Sequence, residues 1–60
     1  MNRTDWEINI TNLTERVAEK YDEATARSVF QRVGATCFED LSPVYYSEVF
    51  GDLMQMDEDD

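Results

Sequence analysis

Apolar residues recur at intervals of three and four along this chain, and that spacing points to helices. Trp6, Ile10, Leu13 and Val17 share one face of a helical wheel, Tyr21 follows one turn after Val17, and Ala24 keeps the interval. They predict an amphipathic helix from about residue 5 to 21. A second pattern competes at its start. Trp6-Glu7-Ile8-Asn9-Ile10 alternates as a strand does, and Thr11 or Asn12 could then cap a shorter helix, with Asn12 and Glu15 fitting a capping box. Helix is preferred, because nothing else in the chain offers a strand to pair with.

The next two helices have clear start and stop signals. Asp22 can cap the second, Ala24, Ala26, Val29, Phe30 and Val33 give it an apolar face, and Gly34 sits just past its end. Arg27 and Arg32 lie toward its C-terminal end, which suits the helix dipole. Thr36 followed by Glu39 is a capping-box signature, so Cys37 to Leu41 should form one short helical turn. Ser42 then caps and Pro43 takes the first position of a third helix, running to about Met56. Tyr46, Val49, Phe50, Leu53 and Met56 share its apolar face; Glu48, Asp52 and Gln55 lie on another, which Asp59 would extend. The terminal Asp57-Glu58-Asp59-Asp60 sets like charge against the negative end of the dipole and should fray. The expected fold is all-α: a compact three-helix bundle with a short connector turn, one domain over residues 1–60, with 1–4 and 57–60 flexible.

Sixty residues bury a thin core, and few staples are on offer. Cys37 is the single cysteine, so no disulfide can form within the chain, and with no histidine a zinc site is not expected. No run approaches the roughly 18 apolar residues of a membrane span, and no secretory leader is apparent. The expectation is a soluble cytoplasmic protein with a reduced thiol and no cofactor. The sequons at Asn9 and Asn12 are then coincidental.

The net charge is −9, and it is placed unevenly. Residues 1–35 carry five cations and six carboxylates. Residues 36–60 carry Glu39, Asp40, Glu48, Asp52, Asp57, Glu58, Asp59 and Asp60 and no cation. Mixed-sign surfaces avoid self-repulsion, so a one-signed half asks for a reason. A negative face kept for a partner is one; a generally acidic chain is the other. Either way, direct contact with nucleic acid or an anionic membrane is disfavoured and a basic partner is favoured. A helix-turn-helix reading fails on the same ground, since the third helix carries Glu48 and Asp52 and no basic residue.

Catalytic groups are scarce. No histidine is available as a base, no glycine-rich phosphate loop is present, and the serines and threonines are explained as caps. Cys37 has two acidic neighbours and reads as a small hydrophobe. The terminal acids lack the spacing and the glycine of an EF-hand loop. No enzyme and no metal site is expected. Tyr45 and Tyr46 are adjacent, so both cannot be centrally buried; Tyr45 should lie at the boundary or outside, as an interface anchor.

Residues 23–53, EATARSVFQRVGATCFEDLSPVYYSEVFGDL, resemble short acidic helical proteins of bacterial phages and conjugative elements. The distinctive parts are the VGA helix stop, the FEDLSP connector and the YYSEVFGDL helix. That group carries no activity or site residue over to this chain. In size and charge the protein is also similar to anti-CRISPR and anti-restriction inhibitors, many of which present carboxylates where the defence protein expects phosphates. The resulting expectation is an inhibitor of a host defence nuclease, first of all a CRISPR effector, that binds a basic nucleic-acid-handling surface through Glu39, Asp40, Tyr45, Glu48, Asp52 and Asp57 to Asp60. Two alternatives stay open: a self-associating adaptor, such as a homodimer, whose acids only confer solubility, and an antitoxin-like partner of a basic protein.

Overall fold

The computed structural model describes residues 2–58. Three helices form an all-α bundle: α1 (Arg3–Lys20), α2 (Glu23–Gln31) and α3 (Tyr46–Glu58), with 3₁₀ turns at Phe38–Asp40 and Pro43–Tyr45. No strand occurs among the described residues. The helical spacing therefore prevails over the alternating pattern at Trp6–Ile10: Ile10 is fully buried while Ile8 faces solvent. Asn2, rather than Thr11 or Asn12, caps α1 by accepting from the Asp5 amide at 2.9 Å.

Asp22 caps α2, and its side chain accepts the Thr25 amide at 2.6 Å. The Thr25 hydroxyl and then this amide hold the Asp22 carboxyl below its ordinary pKa. The far end of α2 closes around Gly34, at φ +77°. The Ala35 amide reaches back to the Phe30 carbonyl at 3.0 Å and the Gly34 amide to the Gln31 carbonyl at 3.1 Å. This pair of bonds satisfies carbonyls the helix leaves open, and Phe30 and Ala35 are both buried beside it. Ala24, expected on the apolar face, is exposed; its neighbours Ala26, Val29 and Phe30 take the inward positions instead.

The connector departs from the expected capping. Asp40, not Glu39, turns back on Thr36, accepting from its amide and its hydroxyl at 3.3 Å each. No side chain caps the turn at Cys37, and the turn is 3₁₀. Ser42 contributes its carbonyl, which accepts the Tyr45 amide at 2.9 Å, and no side-chain cap. Pro43 does open the following turn, where its missing N–H is no loss. The chain coils tightly over these three residues before α3 proper begins at Tyr46.

The core draws on every element: Ile10, Leu13 and Val17 from α1, Ala26, Val29 and Phe30 from α2, Ala35, Phe38 and Leu41 from the connector, Tyr46, Val49 and Leu53 from α3. Its α1–α3 end is aromatic. Phe38 stacks on Tyr46 with centroids 5.0 Å apart, and Trp6 meets Tyr46 at 5.9 Å and Phe50 edge-on at 5.8 Å. The Arg3 guanidinium lies 5.4 Å from the centre of the Phe38 ring. Of the ends expected to be flexible, Asn2 caps α1 and Arg3 and Thr4 open it, while Asp57 and Glu58 complete α3, two residues beyond the expected stop.

Candidate partner-binding face

Packing divides the four aromatics of the acidic half. Phe38, Tyr46 and Phe50 serve the core, and Tyr45 stays 38% exposed. From Tyr45 the outward stripe continues through Glu48, Asp52 and Gln55, three, four and three residues apart, so they follow one side of α3. Glu48 and Gln55 are exposed and Asp52 is half-buried.

Val44 joins this stripe, and the sequence reading passed over it. It is 75% exposed, the most open large apolar side chain described. The signal was present in helical phase, since Val44 falls opposite Tyr46, Val49 and Leu53 on a continued wheel. Val44 and Tyr45 together leave a branched aliphatic group and a phenol in water beside Glu48. Glu39 is exposed in the preceding turn, and Asp40 is exposed but bonded to Thr36.

The remaining candidate acids separate. Asp57 lies four residues after Leu53, on the inward-facing row of α3, and its side chain is only 18% exposed. Its carboxylate meets Arg16 at 2.7 Å and its carbonyl accepts from the Lys20 ammonium. Glu58 is exposed. Asp59 and Asp60 lie outside the described residues. Asp52 is also paired, with Arg32 of the loop after α2, at 3.7 Å and with both side chains at the surface; such a pair is worth about 0–1 kcal/mol. A shallow cavity of about 200 Å³ opens there between Arg32, Asp52, Gln55 and Met56.

Cys37, read from the sequence as a small hydrophobe, is exposed. Phe38 takes the inward position, and Cys37 stands in extended backbone ahead of the turn. It borders a cavity of about 350 Å³ floored by Ala18, Ala26, Phe30 and Phe38. Among the described residues, no three of His, Cys, Asp and Glu converge on a point where a metal ion could sit. No helix among them is long and apolar enough to cross a membrane.

Taken together, these features define a small acidic three-helix bundle with one aromatic–carboxylate stripe. Comparison with protein-family models, curated proteins and solved structures finds no match. The functional reading therefore rests on the chain's own geometry.

Proposed function

We propose that the protein is a stoichiometric binding protein that docks the Val44–Tyr45–Glu48–Asp52 stripe on a basic protein surface. The observation that carries this reading is the exposed Val44–Tyr45 pair directly flanked by Glu48 in a chain of net charge −9. Buried aromatic anchors set residence time, and carboxylates around them steer a cationic partner and speed encounter. Glu39 and Glu58 extend the negative field to either side. The target class named by the proposal is a nucleic-acid-handling nuclease of host defence inside the bacterial cell, an RNA-guided effector first, because such enzymes hold nucleic acid in positively charged channels.

Size-exclusion co-elution with purified effectors, each with and without guide RNA and target DNA, tests it at low and high salt. Binding that target DNA or high salt abolishes supports occupation of the channel. Absence of binding to every effector removes the nuclease as target. The double variant Glu48→Lys/Asp52→Lys should bind roughly tenfold or more weakly; unchanged binding by it removes the stripe from the interface.

The exposed Val44 also favours a second reading, a homodimer sealed by Val44 and Tyr45 from two copies. The like charges of Glu48 and Asp52 would meet across that seam and oppose it. Sedimentation at several concentrations separates the two, since a dimer that tightens as salt rises supports the second.

A further inference from the structure

The end of α3 is built in a way that its own sequence disfavours. The last carbonyls of a helix lack partners within it, and the helix dipole makes that end negative. Asp57 and Glu58 add two carboxylates to the same turn. Alone, this turn should unwind. Three side chains from the end of α1 hold it instead. Arg16 donates to the Asp57 carboxylate at 2.7 Å, the Lys20 ammonium donates to the Asp57 carbonyl, and the Tyr21 hydroxyl donates to the Met56 carbonyl at 3.3 Å. Each contact spans 35 to 41 residues of sequence.

We propose that this end of α3 is an ionic latch. Arg16 and Lys20 supply the positive charge that a helix C-terminus needs, from a different helix, and so tie the last turn of α3 to the last turn of α1. The latch commits two of the five cations to one helix end, and it opens when their attraction is screened or when another cation claims Asp57. A basic surface that reaches past the stripe to Asp57 must therefore displace Arg16 from its carboxylate to engage it. The latch rests on the contacts above and does not depend on the docking reading.

Amide hydrogen exchange of the full chain tests the latch at Met56, Asp57 and Glu58, with the Val29 amide of α2 as internal reference. From about 0.01 M to about 1 M salt the screening length falls from about 30 Å to about 3 Å. Over that range the three amides should exchange roughly three- to tenfold faster, and Val29 should not follow. The double variant Arg16→Gln/Lys20→Gln should show the faster rate already at low salt, with little further response. Arg16→Lys preserves the charge and should keep close to the wild-type rate. The latch is overturned if salt and the double variant leave the three amides unchanged. It is equally overturned if Val29 accelerates in step with them, or if Arg16→Lys exchanges as fast as the Arg16→Gln/Lys20→Gln double variant does.

Discussion

At the scale of single residues, the two glycines should respond to the same substitution with opposite signs. Both have open space where a Cβ would go. Gly34 sits at φ +77°, where an L side chain costs about 1–2 kcal/mol. Gly51 lies exposed in the middle of α3 with no such φ, and there alanine should gain about 0.8–1 kcal/mol. Urea unfolding of Gly34→Ala and Gly51→Ala reads both; a stabilised Gly34→Ala would contradict the turn geometry. Asp22 gives a second residue-level test. Its folded pKa is depressed by the Thr25 hydroxyl and amide, so its contribution is complete above the unfolded value near about 3.9 and is lost as pH falls through the lower folded value. Asp22→Asn keeps an acceptor at the cap and should remove that acid-limb dependence while holding most of the neutral-pH stability. Asp22→Ala should lose both. Thermal melts at neutral pH and at about pH 3 separate the three proteins.

At the scale of elements, α3 faces two ways, and its two sides should tolerate change differently. Leu53 is fully buried, and Leu53→Ala should cost about 2–5 kcal/mol. Gln55 lies two residues on in the outward stripe, and Gln55→Ala should stay within about 0.5 kcal/mol. Denaturant midpoints of the pair test the assignment of faces. This two-sidedness was legible beforehand, because Tyr46, Val49 and Leu53 repeat at helical intervals and their phase alone assigns Tyr45 to the boundary. The Asp22 cap and the Gly34 stop were equally legible, since each is a local signal with one physical meaning. The connector was not. Thr36 had two carboxylates within reach, Glu39 and Asp40, and Asp40 takes the place because the turn starts one residue later than the capping box requires, with Cys37 and not Thr36 at its N-cap. The site was legible only in part. Glu48 and Tyr45 could be placed by phase, but Asp57 lay past the expected end of α3 at Met56, and its inward place follows only once the helix continues to Glu58 and Arg16, 41 residues away, folds against it. Pattern reading handles neighbours on one helix; it has no access to which cation of a second helix arrives opposite.

At the scale of the molecule, charge acts in two opposed ways, and salt should pull them apart. A net charge of −9 on 60 residues stores self-repulsion in the folded state, which added salt relieves. The pairs Arg16–Asp57 and Arg32–Asp52 are attractions, which added salt weakens. Fourteen carboxylates against five cations leave the repulsion dominant. The melting temperature of the whole protein should therefore rise from low to moderate salt, even as the end of α3 loosens. The same balance sharpens the test of the binding face. Glu48→Lys with Asp52→Lys moves the net charge from −9 to −5. The ammonium introduced by Asp52→Lys would oppose Arg32, but both positions reach the surface, where such a penalty is about 1 kcal/mol or less. The double variant should then melt at or above the wild-type temperature, with a shallower salt dependence. Lost partner binding in a protein that melts no lower would assign the loss to the face itself. A variant that melts well below wild type would mean that Glu48 and Asp52 support the fold, and that the stripe is a structural surface and not a docking one.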